Sequence, residues 1–318
     1  MKDQVRQRNH HLGSCAARNG PYSLWPPVRE TVSHQCRASA HTALRVVVAW
    51  RDSLAGHQVA ALAWPASVAG VCHGVCVDED LWDAYDRMGL SFQQHAADSA
   101  ANAHYDRPAV LAALGPVSGR QVLDAACGPG LYLRELLERG AEVTAFDASP
   151  VMVSLARQQT AGRVRIDQAV LGKPLPYPDD AFDLIVCALA IHYASDRAAA
   201  FAEFCRVLRP GGAAVVSTQH PVMDWLRKGG SYFQATLETD IWRMPLGDQP
   251  VHFWREPLSA LCTAATDAGF LIGKVIEPVP AETMRERYPE DYEKLSKEPG
   301  FLILRLLKPA KPNPIPLS

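Results

Sequence analysis

One stretch constrains this chain more than any other. Residues 122–133 read VLDAACGPGLYL: an apolar run ends in Asp124, and Gly128 and Gly130 follow in a turn before a helical pattern begins. A buried strand that ends in an acid and turns through glycines into a helix is the opening unit of a β-α-β sheet. Glycine tolerates the tight dihedrals of such a turn and lets a ligand come close to the backbone, while the helix start offers unpaired N–H groups. The question is whether the following residues repeat the unit.

They do. The reading predicts strands at 121–126, 141–146, 164–170, 182–189 and 213–218, and helices at 131–139, from Pro150 onward and at 197–208. Arg209-Pro210-Gly211-Gly212 breaks the last of these helices from the next strand. A helix at 258–268, a strand at 270–277 and a final strand at 300–306 follow. Upstream, Leu81, Tyr85, Met88 and Phe92 recur at helical spacing, and Pro108 is placed to start a helix over 109–114. This rhythm specifies an α/β fold: a doubly wound, seven-stranded, mostly parallel sheet with helices on both faces. Between 219 and 255 the rhythm stops, and an aromatic-rich insertion after the fifth strand reads as a cap. Residues 278–299 read as a polar, proline-containing connection.

Residues 1–76 differ from the rest. They hold 8 Lys and Arg against 3 Asp and Glu, six of the 11 histidines and four of the eight cysteines, with little sustained periodicity. This stretch is expected to be a poorly ordered extension or a mis-assigned start. Cys72, His73 and Cys76 lack further regularly spaced ligands, so no metal site is expected. Residues 77–308 form the expected domain, and 309–318 a loose proline-rich tail. Cys127, Cys187, Cys205 and Cys262 read as reduced, buried thiols of a cytoplasmic protein. A net charge of −2 disfavours a nucleic-acid partner, and no apolar run reaches membrane-spanning length. No oligomeric state is legible.

Asp147 lies 23 residues after Asp124, at the end of the second strand in VTAFDASP. A carboxylate there can accept hydrogen bonds from both hydroxyls of an adenosine ribose. A dinucleotide fingerprint would want a third glycine where Leu133 stands, which weakens a nicotinamide oxidoreductase reading. A phosphate-free adenosine with a zwitterionic tail fits the turn better, with Asp124 facing the ammonium. His192 and Tyr193 just past the fourth strand, and His220 just past the fifth, sit at the sheet edge where ligands bind. They are the candidate catalytic groups, since a histidine near neutral pKa can take a proton from an attacking acceptor.

Four segments in order, VLDAACGPG, AFDASPVMV, PLPYPDDAFDLIVCALAIHYASD and FCRVLRPGGAAVVST, resemble the motifs of class I S-adenosylmethionine-dependent methyltransferases of the small-molecule, type 11 kind. The resemblance covers roughly residues 79–308. It implies S-adenosyl-L-methionine as cofactor and a small-molecule acceptor with an O, N or C nucleophile. It implies that Asp124, Gly128 and Gly130 surround the methionine part, with Ala126 where glycine is common. Asp147 would hold the ribose, Ala148 and Met152 would pack on adenine, and Ala188 would line the methionine part. Val170 stands where the family often carries an acid, so the backbone of Val170 and Leu171 would read the adenine edge. Asn102 and Tyr105 resemble a lid. A methyltransferase-like binding protein without catalysis is the other alternative.

Overall fold

The computed structural model describes residues 81–244 and 247–310. The expectations for residues 1–76, including Cys72, His73 and Cys76, lie outside the described residues.

The central sheet is built from β1 (Gln121–Ala125), β2 (Glu142–Asp147), β3 (Arg165–Gln168), β4 (Phe182–Cys187), β5 (Leu208–Gln219), β8 (Leu271–Ile276) and β9 (Phe301–Leu307). Their order is β3-β2-β1-β4-β5-β9-β8. β1 pairs in parallel with β2 and β4, so Asp124 lies between Ala145 and Val186 at the middle of the sheet. β9 runs antiparallel to both of its neighbours. The chain order reverses between β1 and β4, and a crevice opens there outside the carboxyl ends of the strands.

Strands covered on both faces need apolar side chains pointing both ways. Leu123, Ile185 and Leu304 point into one core with Phe201 and Phe204 of α5 (Arg197–Val207). Val122, Val186 and Ile303 point into the other with Leu114 of α2 (Arg107–Leu114) and Leu136 of α3 (Leu131–Glu138). Beyond β2, Ala145 and Ile166 bury against Leu133 and against Val153 and Ala156 of α4 (Pro150–Gln159). Ser149 caps α4 by accepting from Met152 N at 3.0 Å, as the Ser-Pro start predicts.

Three features depart from the expected string. Arg209–Gly212 lies within β5 as a ladder irregularity opposite Phe182 and Leu184. Residues 278–299 contain two short helices, α8 (Glu282–Arg287) and α9 (Pro289–Leu295), which bury Met284 and Leu295 beside Tyr105 and Phe301. A π-helical turn, Asn102–Asp106, precedes α2.

The stretch after β5 folds as α6 (Pro221–Lys228) and an antiparallel pair, β6 (Thr236–Met244) with β7 (Gly247–Arg255), which forms a sheet of its own. Val251, Phe253 and Arg255 are buried at the two-residue period of a strand with one covered face. Buried ion pairs join its parts: Arg227 with Asp240, and Arg255 with Glu238, each at 2.8 Å. Trp242 stacks on Phe92 of α1 (Asp83–Asp98), with centroids 6.1 Å apart. The hairpin and α1 therefore stand together over the crevice.

Candidate active site

A cavity of about 200 Å³ opens at the carboxyl ends of β1, β2 and β4. The sheet side contributes Asp124, Ala126, Gly128, Asp147, Ala148, Met152, Val170, Leu171 and Ala188, all expected from the sequence. Asn102, His192 and Tyr193 line it as well. The structure thus gathers residues spread over almost a hundred positions at one crevice.

Three expected residues lie elsewhere. Gly130 has a φ of +88°, and a Cβ there would meet Cα of Ala156 at 3.2 Å and Leu133 Cδ1 at 3.3 Å. Its glycine serves the close approach of α3 to α4. Gly128 is the opposite case: with φ +53° it has open space where a Cβ would stand. Tyr105 is buried against Phe301 and accepts a hydrogen bond from Gly300 N at 2.9 Å, which turns it toward α8 and α9. His220 caps α6 by accepting from Met223 N at 3.4 Å, and its Nε2 lies 3.0 Å from Glu277. Neither side chain lines the cavity.

The carboxylates are the strongest electrostatic feature. Asp124 is 1% exposed, and its Oδ2 has no hydrogen-bond partner. Burial, with the nearby charge of Asp147, pushes its pKa to about 8. Asp147 Oδ2 accepts from Gly128 N at 2.7 Å and Oδ1 from Ser149 N at 2.9 Å. Burial raises Asp147 to about 6, held there by those two backbone donors. The glycine turn and the second-strand acid are therefore one hydrogen-bonded unit. Ser149 Oγ continues it by donating to Asp86 of α1.

The facing wall was read from the sequence only as a cap within 219–255; its helical part was not. Trp82, Tyr85 and Phe92 come from the first helical segment, and Asp240 and Trp242 from β6. The Tyr85 and Tyr193 hydroxyls are 2.7 Å apart, and their rings meet edge to face at 5.6 Å. Burial raises both pKa values, so both phenols are neutral at pH 7. His192 is buried, with Nδ1 3.1 Å from Thr218 Oγ1. Burial, with the Arg197 charge, lowers it to about 3. Helical spacing placed Tyr85 and Phe92 in one helical pattern, but no local signal marked them as cavity wall.

The donor set suits an adenosine bearing a cationic tail. A buried, unpartnered carboxylate oxygen calls for a cation, and the open face of Gly128 leaves room beside it. No pyrophosphate-binding third glycine turn is present at 128–133.

Residues 123–216 match the family model described as "Methyltransferase domain". A malonyl-[acyl-carrier protein] O-methyltransferase of Serratia marcescens is 43% identical over 102 residues, 31% of this chain and 38% of that protein. A demethylmenaquinone methyltransferase of Tropheryma whipplei (strain Twist) is 36% identical over 141 residues, 43% of this chain and 56% of that protein. The chain therefore spans only part of the length of these curated relatives. Among solved structures, an S-adenosylmethionine-dependent methyltransferase from Mesorhizobium loti matches with a TM-score of 0.50 and 28% identity. That match covers 63% of this chain and 96% of that one. The [4+2]-cyclase SpnF shares the fold alone, with a TM-score of 0.52 and 22% identity over 74% of this chain and 97% of that one. Sequence, sheet order and cavity agree: residues 123–216 carry a methyltransferase domain, set in the fold of S-adenosylmethionine-dependent methyltransferases.

Proposed function

We propose that the protein transfers a methyl group from S-adenosylmethionine to an O, N or C nucleophile of a small molecule. The observation that carries this reading is the Asp124–Gly128–Asp147 unit at the head of the cavity, with one buried acid oxygen left without a partner. The cofactor, when bound, supplies an electrophilic methyl group on a sulfonium. The residues supply position. Asp147 is already oriented by Gly128 N and Ser149 N, and it accepts from the ribose hydroxyls. Ala148 and Met152 form the apolar surface for adenine, with the backbone of Val170 and Leu171 at its edge. Ala126 and Ala188 line the methionine part.

The acceptor lies against Trp82, Tyr85, Tyr193 and Trp242. Tyr85 and Tyr193 share one hydrogen bond between two hydroxyls, which leaves one hydroxyl proton for an acceptor oxygen or nitrogen. His192 is neutral at pH 7 because burial disfavours its charged form. It orients the acceptor as an uncharged hydrogen-bonding group rather than storing its proton. His220 has no such role in this reading, because its ring is engaged by Met223 N and Glu277. In-line positioning supplies most of the rate when the methyl donor is already activated.

The relatives act, by their names, on malonyl-[acyl-carrier protein] and on demethylmenaquinone. A panel of thioester, phenolic and quinol acceptors therefore tests the reading, scored by S-adenosylhomocysteine formed per mass-verified methylated product. Turnover by the wild type that Asp147→Ala abolishes is expected. Absence of S-adenosylmethionine binding would overturn the reading.

A further inference from the structure

The wall that faces the cofactor unit is built of rings. Trp82, Tyr85, Phe92, Tyr193 and Trp242 all line the cavity. Phe92 and Trp242 lie nearly parallel, with 26° between their planes. Tyr85 stands almost perpendicular to Phe92, Tyr193 and Trp242, at 86°, 83° and 84°. Ring faces and ring edges are therefore both present on one wall. An aromatic guest gains from stacked and edge-to-face contacts there, whereas a saturated skeleton of the same size gains only the buried area.

The polar groups among these rings are uncharged. The Tyr85 and Tyr193 hydroxyls share one hydrogen bond, and burial keeps both phenols protonated at pH 7. Tyr85 feels the charge of Asp147 and Tyr193 that of Asp240, so the pair runs from the cofactor unit toward the cap. His192, tilted against Tyr193 with centroids 4.4 Å apart, is neutral as well. Among the described residues that line the cavity, the charges are committed elsewhere or stand apart from the rings. Asp240 accepts from Arg227 with both oxygens and also pairs with Lys228. Asp124 and Asp147 belong to the cofactor unit. Arg107 is buried beside Tyr132 of α3, its guanidinium 5.8 Å from that ring centroid, and Tyr132 feels Arg107 and Asp124 together. Lys173 is exposed. A charged acceptor laid against the rings would lose its water without meeting an opposite charge.

We infer that the acceptor is a neutral, planar aromatic molecule bearing a hydroxyl group, packed ring against ring on Tyr85, Phe92 and Trp242 and held by its hydroxyl on the Tyr85–Tyr193 pair. The inference rests on the proposed function, because it takes this wall as the acceptor's place. It narrows the acceptor against carboxylates, amines and saturated alcohols. The tyrosine pair suits a hydroxyl because two hydroxyls joined by one bond keep a spare donor and spare lone pairs.

The test is calorimetric titration of the full chain, saturated with S-adenosylhomocysteine, with four matched probes: naphthol, its saturated counterpart decalol, the anion naphthoate and the cation naphthylmethylammonium. Naphthol is expected to bind at least about tenfold more tightly than each of the others. Tyr193→Phe should weaken naphthol about 3- to 10-fold, the worth of one neutral hydrogen bond. Trp242→Leu should weaken it by a similar factor and erase most of its advantage over decalol. S-adenosylhomocysteine affinity kept within about twofold shows that a variant is folded, and each variant is scored separately. The comparison of probes in the wild type decides even where a variant fails to fold. If S-adenosylhomocysteine binds but any of the other three probes matches naphthol, the inference falls and the proposed function stands. Unchanged naphthol binding in both folded variants would also overturn it. If S-adenosylhomocysteine does not bind, the cofactor reading falls and this inference with it.

Discussion

Asp124 and Asp240 are two buried acids on opposite walls of one cavity, and they are treated in opposite ways. Asp124 has an oxygen with no partner, and burial raises its pKa to about 8. Burial works on Asp240 in the same direction, but Arg227 and Lys228 outweigh it and hold its pKa below the usual carboxylate range. Arg227 donates to its two oxygens at 2.8 and 3.0 Å. The difference separates an acid kept unmet for a ligand from a charge used to hold the cap. Acidity on a cavity wall is therefore not by itself a sign of ligand binding; an unmet oxygen is.

The largest expected effect comes from breaking the satisfied acid. Asp240→Ala removes the acid that Arg227 and Lys228 share beneath the cap, and removing one member of a buried pair costs about 3–5 kcal/mol. Chemical denaturation should show this as a lower midpoint. A variant as stable as the wild type would mean that the cap ion pairs are idle.

An effect of opposite character is expected from Asp124→Asn. The folded wild type keeps a proton on Asp124 up to about pH 8, whereas the unfolded chain releases it near pH 4. Stability contributed by this group is thus present at low pH and lost as pH rises across that window. Asp124→Asn removes the loss, so its melting temperature should gain on the wild type between about pH 5 and about pH 8. Parallel melting curves across that range would show that Asp124 is not protonated in the free protein.

The smallest effects sharpen the contrast within the turn. Gly130→Ala presses a methyl group on Ala156 and forces a positive φ, so it should cost about 1–3 kcal/mol of stability. Gly128→Ala meets only the dihedral penalty, about 1 kcal/mol, but fills the space beside Asp124 and should weaken cofactor binding. Equal losses of stability in both, with cofactor affinity untouched, would assign both glycines to packing.

The sheet wall was legible because its physics is local. Strands buried on both faces appear as apolar runs, and the acid, glycine and serine that end them must occupy fixed places at the carboxyl edge. The facing wall was not, because Tyr85, Asp240 and Trp242 meet only through tertiary contacts between α1, the second sheet and the turn after β4. Arg107 looked like an ordinary charged residue before a helix-starting proline, and nothing in its neighbours in sequence announces burial. Tyr105 and His220 carry the residue types of a site but are satisfied by Gly300 N and by Glu277, partners far along the chain. Helices α8 and α9 were missed because each is short and buries few apolar side chains among charged ones.

The most direct test of the central claim is calorimetric titration of S-adenosylmethionine into the wild type and Asp124→Asn, repeated in buffers of different ionisation enthalpy. If the unmet acid receives the cofactor's ammonium, binding near pH 7 drives Asp124 to its charged form and releases up to about one proton. The variant should then bind about 10- to 100-fold more weakly and release none. Equal affinity in both proteins, with no proton released by either, would contradict the account.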